Sequence, residues 1–246
     1  MRLLIVPAAG RGSRLGAAVP KPFVTVAGIS MLDRLVDLYD RHVERFLVVV
    51  NPSFVEDARE WGTRLPNVEI VEQRMPTGML DAILCASPAV ARLHPDWIWI
   101  TWCDQIGVLP ETVVRLETET AIAGPALVMP TVRRRHPYIH LARDSNGRIT
   151  RILHLREGDE MPEEGESDMG LFALSRRAFE EGLTRYAREA DVGLGTGERN
   201  FLPFIPWLAE RATVATFPCT NAMEALGVNT PEDLRVMEGW LRERTR

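Results

Sequence analysis

The chain's 29 basic residues comprise 28 arginines and one lysine, Lys21. An ammonium is a compact, strongly hydrated point charge that a planar guanidinium does not reproduce, so its single retention marks a position to examine. Lys21 closes a stretch that begins Val6-Pro-Ala-Ala-Gly10-Arg11-Gly12-Ser13-Arg14-Leu15-Gly16 and ends Pro20-Lys21-Pro22. The small residues Ala8, Ala9, Gly10 and Gly12 allow backbone N–H groups to approach a phosphate chain, while Arg14 and Lys21 add positive charge. No Gly-Lys-Ser/Thr follows at Walker A spacing, and the glycines do not fit the dinucleotide fingerprint. The residues by themselves describe either a polyphosphate cradle or a tight structural turn.

Such a loop must be carried by a strand, and residues 2–7 form a short, continuously apolar run directly before it. Similar runs occupy 46–50, 68–71, 97–102 and 126–130, separated by helical apolar spacing over 31–39, 54–64, 78–93 and 110–120. This alternation predicts a parallel sheet covered by helices on both faces, the doubly wound α/β class. Past residue 131 the pattern becomes richer in strands. Residues 138–143 and 148–155 flank the turn-like Asp144-Ser-Asn-Gly147 as a hairpin. A strand over 169–174, helices over 176–188 and 201–211, a strand over 213–217 and a helix over 231–242 complete the expectation, the last capped by Thr230. The acidic stretch 157–166 is expected to be an exposed loop. No linker divides the chain, so 1–246 is expected to be one domain, its second half (131–246) smaller and richer in strands than its first (1–130).

Composition narrows the function. The formal net charge is −5, which disfavours a nucleic-acid partner. No apolar run reaches the roughly 18 residues needed to cross a bilayer, and none resembles a signal peptide. Cys85, Cys103 and Cys219 form no CxxC pair, so a reducing cytoplasm without structural metal is expected.

The loop and five further motifs give the chain its resemblance to a family. The pattern GxGxRxG…PK, present as Gly10 to Gly16 and Pro20-Lys21, is followed in order by Pro76-Thr77-Gly78, Trp102-Cys103-Asp104, Glu166-Ser167-Asp168-Met169-Gly170, Gly197-Glu198 and Gly227-Val228-Asn229. The sequence resembles the sugar-phosphate nucleotidylyltransferases, most nearly the uridylyltransferase domain that acts on N-acetylglucosamine 1-phosphate. That resemblance implies an α/β fold with a mixed, mostly parallel central sheet of the glycosyltransferase A kind and helices on both faces. It implies a nucleotide-binding half (1–130), an acceptor-binding half (131–246), a Mg²⁺ ion, and attack by a substrate phosphate on the α-phosphorus of a nucleoside triphosphate. It also implies that Asp104 and Asn229 ligate the metal and that Arg14 and Lys21 hold the triphosphate. Asp104 follows an apolar strand, where an oxygen ligand suits a hard cation.

Several departures leave the substrates open. Pro76 replaces a family glycine whose backbone contacts the base, removing an N–H donor. Gln73, Thr77 and Gly78 then become the candidate base contacts, with Gln73 able to offer both a donor and an acceptor. The family's sugar-binding glutamate aligns with His154 and its asparagine with Asp168, so the acceptor is expected to differ from N-acetylglucosamine phosphate. Tyr138 follows the basic run 133–136, and with Arg156 downstream this region could clamp an acidic acceptor. At least two of Arg133, Arg134 and Arg135 are expected to be simply solvated in an exposed loop. Glu198 is expected near the acceptor or a partner subunit, Cys103 is expected to be inert, and Trp97, Trp99 and Trp102 are expected in the core.

The leading expectation is a Mg²⁺-dependent transfer of a nucleotidyl group, uridylyl first, from a triphosphate to a phosphorylated acceptor. Val-Pro-Ala-Ala-Gly and Pro-Lys-Pro-Phe also resemble the cytidylyltransferases of the methylerythritol phosphate route, whose Asp-Ala-Ala-Arg-Pro stretch is missing here. The remaining alternative is a non-catalytic, nucleotide-binding regulator of the same fold. Without hexapeptide repeats before Arg246, no acetyl transfer is expected.

Overall fold

A computed structural model describes residues 1–10, 12–122 and 124–244. Arg11 of the loop motif lies outside the described residues. Strand β1 (Arg2–Pro7) leads into the loop, and the short pair β2 (Thr25–Val26) and β3 (Ile29–Ser30) precedes helix α1 (Met31–Tyr39). There follow β4 (Arg45–Val50), α2 (Val55–Gly62), β5 (Val68–Glu72), α3 (Met79–Leu84), α4 (Ser87–Leu93), β6 (Trp97–Thr101) and α5 (Pro110–Ala121). The second half contains β7 (Leu127–Arg135), the hairpin β8 (Ile139–Arg143) and β9 (Ile149–His154), β10 (Glu164–Asp168) and β11 (Leu171–Ser175). After a π-helical turn (Ala178–Leu183) come α6 (Thr184–Glu189), α7 (Phe204–Ala209), β12 (Val214–Cys219) and α8 (Pro231–Arg244).

The main sheet runs β10-β7-β11-β6-β1-β4-β5, with β12 also paired to β7. β1, β4, β5 and β6 are parallel to one another, β11 runs antiparallel to β6 and β7, and β12 is parallel to β7. Strands β1 and β4 are buried on both faces, which explains their uninterrupted apolar character. Leu4, Val6, Phe46, Val48 and Trp99 pack beneath α1, α2, α5 and α8. Leu3, Ile5, Leu47, Val49, Ile98 and Ile100 pack on the other face against α3, α4, α7 and the β8–β9 hairpin. The mixed, largely parallel sheet with helices on both faces is therefore as expected. The parallel strands end along one edge, and the loops after β1, β5 and β6 gather there.

Four sequence expectations change. The helix read over 78–93 is two helices, because Pro88 lies in the first turn of α4 and starts it afresh. Part of the acidic stretch is strand β10, held by antiparallel pairing with β7 rather than by any apolar pattern of its own. The arginine run lies on β7, not in a loop. The strand read over 169–174 begins at Leu171, since Gly170 (φ +65°) makes the bend between β10 and β11. A Cβ there would lie 2.4 Å from Trp102 Cδ1, so the bend admits no side chain.

Candidate active site

The loop after β1 is folded around Lys21. Pro20 and Pro22 fix the backbone on either side of it, and Phe23 N–H and Val24 N–H donate to the carbonyls of Pro20 and Lys21 at 2.9 and 3.1 Å. Gly12 adopts φ +61°, and a Cβ there would come within 2.7 Å of Lys21 Cβ. Leu15 is buried and anchors the far side of the loop. A Cβ on Gly10 would meet no protein atom within 4 Å, and Gly10 lines the cleft, so the room left by its missing side chain is open. Ala9 and Gly12 line the same cleft. Ala8 does not: it is buried, and its N–H donates to the Val49 carbonyl at 2.7 Å. The expectation that Ala8 offers an N–H to phosphate is therefore corrected.

Lys21, Asp104 and Asn229 converge although distant in sequence. Lys21 Nζ donates to Asp104 Oδ2 at 2.6 Å and to Asn229 Oδ1 at 2.9 Å, and Arg14 donates to the same Asn229 oxygen at 3.3 Å. Asp104 leaves the end of β6, and its carbonyl accepts the Val228 N–H at 3.2 Å, which ties the two loops together. Asn229 is positioned by the start of α8. Asp233 Oδ2 accepts the N–H groups of Asn229 and Thr230 at 3.0 and 2.8 Å, and Thr230 Oγ1 accepts Asp233 N–H at 3.2 Å. Thr230 thus caps the helix, leaving the Asn229 side chain to face the cleft.

Asp104 and Asn229 direct oxygens at one point, an arrangement that fits a hard divalent cation sharing its remaining positions between phosphate oxygens and water. Among the described residues, no group of three or more His, Cys, Asp or Glu forms a metal site made by the protein alone. Next door, burial pushes the Cys103 thiol up to about 12, so it stays protonated.

A second wall comes from the loop after β5. Gln73 is buried, and its Nε2 donates to the Gly78 carbonyl at 3.1 Å. Gln73, Pro76 and Gly78 line a small recess with Ala9 and Gly10. Thr77 stands outside it: its hydroxyl donates to the Met75 carbonyl, and its own carbonyl accepts the Arg199 N–H at 2.8 Å. Gly78 has φ +124°, and a Cβ there would lie 2.5 Å from Arg199 N. The Arg199 guanidinium pairs with Asp81 and also donates to the Ala187 carbonyl, which fastens residues 197–200 against α3.

The cleft continues toward the second half of the chain. A cavity of about 540 Å³ holds Arg14, Lys21, Asp104 and Asn229, and one of about 450 Å³ shares three of these and reaches Tyr138, His154 and Asp168. Glu198 and Arg156 border both. Tyr138 and His154 pack edge to face, ring centroids 5.1 Å apart. Burial lowers the His154 pKa, partly offset by Glu157. Asp168 accepts the Gly170 N–H at 2.9 Å, and burial pushes its carboxyl up to about 6. Trp99 is fully buried as expected, whereas Trp102 lines the cleft, its ring edge to face with Phe201.

A family model for the MobA-like NTP transferase domain matches residues 4–167, which include the loop, Lys21, Asp104 and β7. The chain belongs to this family. Its domain is accordingly of the nucleotidyltransferase class. The bifunctional protein GlmU of Thermodesulfovibrio yellowstonii is 25% identical over 248 residues, covering 98% of this chain and 52% of that protein. GlmU of Pseudomonas putida is 27% identical over 237 residues, covering 96% and 50%. A 2-C-methyl-D-erythritol 4-phosphate cytidylyltransferase from Saccharopolyspora erythraea is 35% identical over 132 residues, covering 52% and 58%. The chain thus spans about half the length of the curated GlmU relatives it matches.

Within this nucleotidyltransferase domain, sequence reasoning overlooked Glu157. Its Oε1 accepts from Thr196 Oγ1 and Asn200 Nδ2 at 2.6 and 2.9 Å, and its Oε2 accepts from Gly195 N–H at 2.7 Å. The Thr196 bond, with the others, holds its carboxyl below the usual range. Nothing in the acidic stretch singled it out. The glycines at 193 and 195 were the available signal, since a Cβ on either would meet Glu157 or the Arg156 carbonyl within 2.5 Å. Among the described residues, no helix is long and apolar enough to cross a membrane.

Proposed function

We propose that the protein transfers a nucleoside monophosphate from a triphosphate to the phosphate or phosphonate of a small acceptor, releasing pyrophosphate. The observation that carries this reading is the meeting of Arg14, Lys21, Asp104 and Asn229 where the two cavities join. The triphosphate lies in the cavity beside Lys21, Ala9, Gly10 and Gly12, and the base enters the recess of Gln73 and Gly78. The acceptor lies in the cavity beside Tyr138, His154, Asp168 and Glu198.

In the reaction, an acceptor phosphate oxygen forms a bond to the α-phosphorus as the bond to the α,β-bridging oxygen breaks. Pyrophosphate leaves with that electron pair. The attacking oxygen is already anionic, so no protein nucleophile is required; the protein positions two anions and offsets their repulsion. Arg14 and Lys21 hold the triphosphate and stabilise charge on the leaving pyrophosphate. Asp104 and Asn229 would hold Mg²⁺, which supplies charge neutralisation at the phosphate oxygens.

Uridylyl transfer is the first reading of the base, supported by the GlmU likeness along the chain. Cytidylyl transfer is the second, supported by the higher identity to the cytidylyltransferase over its 132 matched residues. The test is pyrophosphate release with UTP, CTP, GTP, ATP and dTTP crossed against phosphate and phosphonate acceptors, with Mg²⁺ and with EDTA. Release that needs one base, one acceptor and the metal is the expected result. Silence across a panel of sugar 1-phosphates, polyol phosphates and alkylphosphonates overturns the reading.

A further inference from the structure

The three consecutive arginines of β7 have different fates, set by their pairing with β10. Arg133 stands opposite Glu166, whose carboxylate pairs with Arg143, and Arg135 stands opposite Glu164 and pairs with Glu163 at 2.9 Å; both arginines are exposed. Arg134 stands opposite Gly165, which offers no side chain. That position admits none, since a Cβ on Gly165 would lie 2.4 Å from His140 Nδ1. By strand alternation Arg134 leaves the face that carries Arg133 and Arg135, and it emerges half-buried in the acceptor cavity. Among the described residues it forms no ion pair. The Asp168 carboxylate, in the same cavity, accepts from Gly170 N–H instead. Of the other acids lining this cavity, Glu198 forms no ion pair with Arg134, Asp104 pairs with Lys21, and Asp233 is taken up by the cap of α8.

The cavity therefore contains two groups of cations. Arg14 and Arg156 border the junction with the triphosphate cavity, whereas Arg134 lines only the acceptor cavity. A single phosphate, placed at the junction to attack the α-phosphorus, leaves Arg134 without a partner. Burial raises the Asp168 pKa, and Arg134 acts on that carboxyl at a distance, lowering it in part. Among the described residues, however, no carboxylate comes within ion-pair distance of the half-buried guanidinium, and its planar fork suits a carboxylate or a second phosphate.

We infer that the acceptor is at least a bis-anion, carrying beyond its reacting phosphate or phosphonate a second acidic group that Arg134 binds. The inference rests on the nucleotidyl-transfer reading for the placement of the first phosphate. Arg134 is then a specificity-determining residue, separating acidic acceptors from neutral sugar phosphates.

The test uses matched probes that differ in the second charge: glucuronic acid 1-phosphate against glucose 1-phosphate, 3-phosphoglycerate against glycerol 3-phosphate, and phosphonoacetate against ethylphosphonate. Each is titrated calorimetrically into the full chain at 0.15 M salt, with and without Mg²⁺ and the α,β-methylene analogues of UTP and CTP. The doubly acidic member of at least one pair is expected to bind roughly tenfold tighter. Arg134→Gln is expected to abolish that preference while leaving the neutral member's Kd within about twofold, and Arg134→Lys to retain only part of it. Equal binding within every pair, or a preference that survives Arg134→Gln, overturns the inference. Failure of the underlying reading shows differently: neither methylene analogue binds, and no pyrophosphate is released from any triphosphate.

Discussion

Lys21 Nζ is held 2.6 Å from Asp104 Oδ2, a pairing across 83 residues in which both side chains are nearly nine-tenths buried. The same ammonium lies 2.9 Å from Asn229 Oδ1. Lys21 therefore occupies the point at which the two oxygens suited to a divalent cation meet. A divalent cation held by Asp104 and Asn229 would compete with the ammonium for those oxygens, and its binding would free Lys21 to turn toward phosphate.

Removing Lys21 separates these roles. Lys21→Ala is expected to lower pyrophosphate release by about 100-fold or more, because charge on the leaving group loses its partner. The same variant is expected to bind Mn²⁺ more tightly than the parent, as the competitor is gone, whereas Asp104→Asn binds it more weakly. Calorimetric Mn²⁺ titration and circular dichroism check both, and unchanged turnover with Lys21→Ala contradicts the site assignment.

Asp168 gives a pH signature. Its carboxyl is pushed up to about 6 in the fold, above its ordinary 3.8, because its half-buried setting desolvates it. Between those values the folded state holds a proton that the unfolded chain has released, so this residue's contribution to stability falls as pH rises from about 4 to about 6. Asp168→Asn is expected to remove that fall. Tm measured from pH 4 to 7 for parent and variant should show the Tm advantage of the variant growing with pH across that window and levelling off above it.

Gly78 is fixed by crowding as well as by backbone angle. Gly78→Ala places a methyl against Arg199 at a φ that alanine rarely adopts, and a cost of about 1–3 kcal/mol is expected from the backbone alone. Thermal unfolding checks the stability loss. Because Gly78 also lines the recess assigned to the base, KM for the triphosphate should rise more than kcat falls.

Much of this architecture was legible in the sequence, for reasons particular to each segment. β1 and β6 are buried on both faces and so appear as plain apolar runs, and α8 begins with a Thr-Pro-Glu-Asp cap that needs no tertiary context. β10 was not legible, because Glu164-Gly-Glu-Ser-Asp168 has no apolar pattern and is a strand only by pairing with β7. For the arginine run, at least two of three were expected to be simply solvated; Arg133 and Arg135 are indeed exposed, though on a strand and with Arg135 paired to Glu163. Which one turned inward depended on a register no single segment encodes. The break within 78–93 was visible, since Pro88 was there to be weighed. At the site, Lys21 stood out as the lone lysine and Asp104 by its place after an apolar strand, whereas Asn229 was singled out only through the family resemblance. The retaining role of Glu157 could not, because its partners lie 38–43 residues away.

Glu157 ties the segment after β9 to residues 195–200, and both border the cleft. Glu157→Gln replaces one acceptor oxygen with a donor that faces donors, so hydrogen exchange at Gly195 and Thr196 should accelerate. KM for the acceptor is expected to rise several-fold, with a smaller change in KM for the triphosphate. Equal exchange rates in parent and variant contradict the retaining role.

Asn229 comes from a segment made late in synthesis, whereas Lys21 comes from one made early. On the ribosome, the first half can emerge and begin to pair its parallel strands while the cleft still lacks one of its two convergent oxygens. Helix α8 then packs beside β2, with Met237 buried in the core that also holds Leu4, Val48 and Trp99, so the same docking event completes that core and delivers Asn229. Competence for chemistry and completion of that core thus arrive together, and a nascent chain that has not finished folding has no assembled centre with which to consume nucleotide.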